Sequence, residues 1–243
     1  MTPILGILAS AKVAKPTVTG GTLTSDSTYY YRTFTSSGTL TVSNANLAVT
    51  YLVVGGGGGG YNYGAGGAGG YIATTGTLSP ASYSISVGAM SATSTYQSSG
   101  GTGNPSSFNS QTASGGNPGT SYPSSNGSGS SGSPTSHSAG TTAVSGGYIG
   151  GGGGGGSYAN GSNGTITGVD GYGAPGGAGT TWINGTTYAA GGDGGGTHNG
   201  RSGNNSSGLL GNGGNAGPGA FPDSPQYQGQ QGIVIVAYLK TAV

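Results

Sequence analysis

The chain has 243 residues, 60 of them Gly, and only 4% are charged, against roughly 25% in an ordinary soluble domain. No Cys is present, which excludes disulfide staples and thiolate metal sites. A formal net charge of +1 supplies no electrostatic drive towards nucleic acid or an anionic membrane.

Residues 1–16 open apolar and end basic, with Ile4, Leu5, Ile7 and Leu8 followed by Lys12 and Lys15. Basic residues behind the apolar run are in the wrong order for a secretory signal. No stretch reaches the roughly 18–20 apolar residues of a membrane helix. The segment is expected to dock on a partner or on further copies of the chain, and the protein to be made soluble in a cytoplasm, its Cys-free sequence suiting later life in any redox environment.

Residues 17–54 read as antiparallel β-structure. Thr28 to Thr35 is aromatic and β-branched, Ser36-Ser37-Gly38 is a turn signal, and Thr39 to Val42 alternates with period two. Ala48 to Val54 is a nearly continuous apolar strand that runs without a spacer into Gly55 to Gly60. Leu78 to Val87 predicts a further strand, with Tyr83, Ile85 and Val87 on one face and Ser82, Ser84 and Ser86 on the other. Residues 232–239 close the chain as a strand apolar on both faces, the pattern of a central strand. Tyr29, Tyr30, Tyr31, Tyr51 and Tyr83 fall on these strands and are expected in their core.

Residues 88–231 show no helical periodicity, and Gly runs disfavour an α-helix by about 1 kcal/mol per residue. Their phase is three. Gly64, Gly67 and Gly70 recur every third residue with Ala65 and Ala68 in step. Gly208, Gly211, Gly214 and Gly217 repeat it, with shorter cases at 161–164, 168–171 and 200–203. Three residues per turn is the polyproline II repeat, which makes no hydrogen bonds within itself. Glycine on inward faces lets such helices approach until their backbones pair, which satisfies N–H and C=O groups without side chains. Each seven-residue run spans about 20 Å, so several must stack as short rods. Collagen is excluded by the broken phase and by 11 Pro in all.

The fold class is therefore mainly β: a small antiparallel β-sandwich base plus a bundle of polyglycine II helices with long loops and little or no α-helix. The expected divisions are a docking segment, 1–16; a base, 17–90 with 232–243, including the first glycine run 55–70; and a glycine-rich bundle, 91–231.

Titratable groups are too sparse for a catalytic constellation, and no catalytic, metal or cofactor residue is assigned. Asp193 and His198, five apart among glycines, read as solvated loop residues. Asn126, Asn160, Asn163, Asn184 and Asn205 match a glycosylation pattern that carries no weight without secretion. The remaining signal is aromatic. Sixteen Tyr and one Trp among Gly, Ser, Thr and Asn form the palette of a paratope, in which Tyr and Trp give contact area at low entropic cost. Tyr96, Phe108, Tyr122, Tyr158, Tyr172, Trp182 and Tyr188 lie in loops or between glycine runs and are the contact candidates.

The order T-Y-L-V-V-G-G-G-G-G-G, G-A-G-G-A-G-G-Y-I, S-Y-S-I-S-V-G-A and closing Q-G-I-V-I-V-A-Y resembles the glycine-rich domain of bacteriophage tail-fibre and related virion proteins, over about residues 28–239. The opening M-T-P-I-L-G-I-L-A-S is similar to the start of small phage virion proteins. The resemblance implies a β-structured base, a packed polyglycine II bundle and distal loops that contact the host. On that footing residues 1–15 would dock to other virion proteins, the chain would assemble as a homotrimer or act as a monomeric tip, and the loops would bind a cell-surface glycan or an outer-membrane protein. A decoration or spacer fibre without a receptor is the alternative, and an ice-binding protein a more remote one. The VGA after Val87 lacks the family's further glycines, and residues 91–145 are rich in Ser with less regular Gly.

Overall fold

The computed structural model describes residues 14–61, 63–91, 100–120, 129–134, 136–197, 210–214 and 228–243. In chain order the strands are β1 (Thr17–Thr19), β2 (Thr22–Ser25), β3 (Tyr29–Phe34), β4 (Gly38–Ser43), β5 (Leu47–Val54), β6 (Tyr71–Leu78), β7 (Ala81–Ser86), β8 (Ser106–Phe108) and β9 (Gln111–Ala113). Three hairpins follow: β10 (Ala143–Ser145) with β11 (Tyr148–Gly150), β12 (Thr165–Thr167) with β13 (Asp170–Tyr172), and β14 (Thr180–Thr181) with β15 (Thr187–Tyr188). The last strand is β16 (Ile233–Leu239), and the one helix among the described residues is a 3-10 turn, Lys240–Ala242. The protein is mainly β.

Two five-stranded antiparallel sheets, ordered β1-β4-β7-β8-β9 and β2-β3-β16-β5-β6, face each other. Alternation along the strands builds the core between them. Leu47, Val49, Tyr51 and Val53 of β5 and Val234, Val236 and Tyr238 of β16 meet Leu40, Val42, Ile85 and Phe108 of the opposite sheet. The intervening residues Leu52, Val54, Ile233, Ile235 and Ala237 point the other way into a second cluster. There the β14–β15 hairpin covers them with Trp182 and Tyr188. Burial on both faces, expected from the unbroken apolar run of 232–239, is thus what β16 has.

Two boundaries differ from the sequence reading. The strand expected over 78–87 is β7, confined to Ala81–Ser86, because Ser79 and Pro80 turn the chain. Before that turn Tyr71–Leu78 forms β6, an eight-residue strand paired with the whole of β5, whose Gly76 and threonines hid it. The sandwich also draws on chain beyond residue 90, since β8 and β9 complete its first sheet.

From Val54 the chain passes directly into the first rod. Gly55 and Gly58 donate to Gly70 and Gly67 at 3.0 and 2.9 Å; Gly56 and Gly59 donate to Asn104 and Gly101, both at 2.9 Å; Gly57 donates to Gln230 at 2.8 Å. Residues three apart thus share a neighbour, the three-fold repeat of a polyproline II helix. The phase of Ala65 and Ala68 has the same meaning, for both accept from one rod, through Gly129 and Gly132. The 64–70 rod is bonded on every side: to 55–60, 114–117, 129–132, 151–156, 190–195 and 211–214. The 151–156 rod is enclosed in the same way by 64–70, 129–132, 137–141, 159–164, 173–178 and 190–195. Stretches 100–104, 114–119 and 129–133 bond into the rods on either side of β8 and β9, so these described parts of the Ser-rich middle belong to the bundle.

Interior and peripheral rods differ in composition for a steric reason. A Cβ on Gly57 would collide with the carbonyl oxygen of Asn212, and one on Gly153 with that of Pro175. Neither glycine has a positive φ, so what is required of it is absence of volume. In the outer rod 173–178, Ala174 and Gly177 are buried every third residue while Pro175 and Ala178 are exposed. Two of the expected triplets have another use. Gly168 (φ 63°) turns the β12–β13 hairpin, with Gly171 on β13, and Gly211 (φ 79°) is a turn residue.

The strand and rod directions give the molecule two poles. β5 leads from the outer pole of the sandwich to the bundle. Lys15 lies at that outer pole, where its ammonium donates to the carbonyl oxygen of Val243 at 2.9 Å. The rods carry the chain about 20 Å further, to turns at the opposite pole.

Candidate recognition surface

At the far pole two hairpins stand side by side. The 137–142 rod leads into β10–β11 and out through 151–156; the 159–164 rod leads into β12–β13 and out through 173–178. Their turns need left-handed backbone, supplied by Gly146 (φ 58°) and Gly147 (φ 86°) in one and Gly168 in the other. Thr197 fastens this cap, its N–H donating to the Ile149 carbonyl and its hydroxyl accepting from the Ile149 N–H, both at 3.0 Å.

Below the hairpins the side-chain carbonyls of Asn160 and Asn163 accept from the N–H groups of Ser138 and Thr141, at 3.0 and 2.9 Å. Gly161 and Gly164 donate to the carbonyls of the same two residues. Asn at this phase acts as a second backbone and links two parallel rods. That accounts for two of the five glycosylation-like asparagines by packing alone.

The expected contact residues do not gather in one place. Tyr172 lies on the cap, 36% exposed, and its hydroxyl donates to the Asp170 carboxylate at 3.5 Å. Tyr158 is 72% exposed but sits at the opposite end of its rod, on the sandwich side. Phe108, Trp182 and Tyr188 were expected to be exposed and are instead buried. Phe108 fills the sandwich core edge-on to Tyr51, with ring centroids 5.1 Å apart. Trp182 and Tyr188 seal the outer face of the second sheet, Trp182 edge-on to Tyr31 at 6.1 Å. Ala68, Tyr71 and Ala189 complete that cover, with Leu210 packed against it. Tyr96 and Tyr122 lie outside the described residues, as do Ile4, Leu5, Ile7 and Leu8.

Sequence reasoning missed Val144 and Val169, exposed by 44% and 61% on the two cap hairpins. The signals were present: Gly146-Gly147 and Gly168 sit next to short β-branched runs, a hairpin pattern.

Shifted titrations are few. Asp26 caps the turn into β3 and is held below the usual carboxylate range by the N–H of Tyr29, the hydroxyl of Tyr31 and the N–H of Thr28. Burial, then the bond to Asp26, pushes the Tyr31 phenol up, and burial pushes Tyr71 up to about 12. Burial also raises Asp193, partly offset by the Gly176 N–H that it accepts at 2.7 Å. Asp193 is thus a half-buried inter-rod tie, contrary to the solvated loop residue expected, and His198 lies outside the described residues. Among the described residues no three His, Cys, Asp or Glu converge as metal ligands, and no helix is long and apolar enough to cross a membrane.

No curated protein matches the chain. The sequence profile of the glycine-rich domain family matches residues 33–239, from the third strand to the last, and the chain belongs to that family.

Proposed function

We propose that the protein is a bacteriophage virion component, a tail-fibre or fibre-tip adhesin. In this role residues 1–15 dock to other virion proteins, and the far cap and its neighbouring loops bind a glycan or protein on the host surface. The observation that carries the reading is polarity. The chain enters at the outer pole of the sandwich, where Lys15 meets Val243, while the exposed Val144, Val169 and Tyr172, with the half-buried Asp170 beside them, stand at the other end of the rods. A spacer of backbone-bonded rods between an attachment pole and a display pole suits a rigid fibre tip.

The burial of Phe108, Trp182 and Tyr188 favours a second reading, a spacer or decoration fibre without a receptor, because it removes three aromatics from display. One experiment separates the two. Particles lacking the protein, or carrying Tyr172→Ala together with Val169→Ser, are expected to adsorb to host cells at least ten-fold more slowly. Normal adsorption by intact particles lacking the protein would end the adhesin reading and leave the spacer.

A further inference from the structure

We infer that β6 is a homotypic docking edge, through which two copies of the chain join their sheets antiparallel about Thr75. The inference is independent of the adhesin reading.

A sheet edge exposes a row of unpaired N–H and C=O groups, and proteins blunt it with short strands, charges, Pro or bulges. Three of the four sandwich edges are blunted by length: β1, β2 and β9 have 3, 4 and 3 residues. The rods use Pro, with Pro105 and Pro175 exposed where an outward N–H would otherwise stand. The edge of β6 has none of these devices. It is 8 residues long, Tyr71–Leu78, without Pro or charge, and no residue in it has a positive φ.

The register settles which groups face outward. Gly55 bonds to Gly70, so the pairs Val53–Ile72, Tyr51–Thr74 and Val49–Gly76 are the hydrogen-bonded ones, and antiparallel alternation turns the N–H and C=O of Ala73, Thr75 and Thr77 away from β5. None of these three has another partner, and all three are exposed.

The spacing of these groups is self-complementary. With Thr75 of one copy opposite Thr75 of the other, each Ala73 faces a Thr77, and every outward N–H meets a carbonyl. The side chains brought together are Ala and Thr, and Thr–Thr pairs across strands are favourable. Like charges opposing one another would destabilise such a pair, but from Thr33 to Val169 the sequence has no charged side chain other than a protonatable His137. The face beside the edge is also left open. Ala48, Thr50, Thr75, Thr77 and Leu239 line a shallow groove of about 380 Å³ beyond the cover of the β14–β15 hairpin, and two copies would join these grooves into one strip. A second copy is therefore the occupant that the edge fits.

The test is the mass of the full chain by size-exclusion chromatography with light scattering over a concentration series. A dimer is expected. Thr75→Pro and Thr75→Lys should each halve the mass while leaving the circular dichroism spectrum unchanged, because the Thr75 N–H makes no bond within the chain and Pro is tolerated at such a position. As the protein has no Cys, Thr75→Cys should oxidise to a covalent dimer, since hydrogen-bonded antiparallel pairs place Cα atoms about 5.5 Å apart; Leu23→Cys on β2 should not. A monomer at every concentration, a trimer, or a dimer that survives Thr75→Pro would overturn the inference. So would a dimer lost on removing residues 1–13, which would give the edge to that segment instead.

Discussion

At Gly57 and Gly147 the same residue type serves opposite needs. Gly57 sits in polyproline II backbone without a positive φ, with a neighbouring carbonyl where a Cβ would be; Gly147 has φ 86° and open space where a Cβ would be. Gly147→Ala should cost only backbone strain, about 1–2 kcal/mol. Gly57→Ala must push the 211–214 rod aside and should reach or exceed the upper end of the about 1–3 kcal/mol typical of overpacking. Urea midpoints of the two variants against the parent check the order, and equal losses would contradict it. Trp182 marks a different local conflict. Its ring covers Ile235 and Tyr31, yet its buried indole N–H has no partner, so its place is set by area and not by polarity.

Among elements, the rods were the most legible in the sequence, because a period of three is a geometric statement about which residues share a neighbour. Ala65 with Ala68 and Gly161 with Gly164 obey it through shared partner rods. Which rod neighbours which was not legible, since glycine carries no label that distinguishes one partner from another. β6 was missed because Gly76 and three threonines dilute its apolar pattern, and the burial of Trp182 and Tyr188 was missed because nothing local says that a hairpin after a rod folds back on a sheet. Asp193 tests how rods are tied. Its carboxyl is raised by burial, so its contribution to stability is present below the unfolded value and lost as pH rises through the folded one. Asp193→Asn keeps an acceptor for Gly176 and removes the charge. The variant should melt higher than the parent at about pH 7, with the difference fading towards about pH 3; a constant difference would mean that the titration of Asp193 is not responsible.

Across the whole molecule, two kinds of order meet at Val54 and Gly55: side-chain burial behind, backbone pairing ahead. They are joined by the last strand, since β16 lies between β3 and β5 with Val234 opposite both Phe34 and Val53. Removing residues 233–243 should split the second sheet into the pairs β2–β3 and β5–β6, open the inner edges of β3 and β5 and yield insoluble protein, whereas a soluble product with the parent's β-sheet circular dichroism would contradict the central role of the strand. The position of β16 also sets a timetable for synthesis. When β5 leaves the ribosome its central neighbour has yet to be translated, and at about 5–20 residues per second that wait is about 10–40 s. The facing edges of β3 and β5 must spend it unsealed, so the producing cell must shelter every nascent chain until the codons of β16 are read, and a chain cut short before them has no second sheet to close.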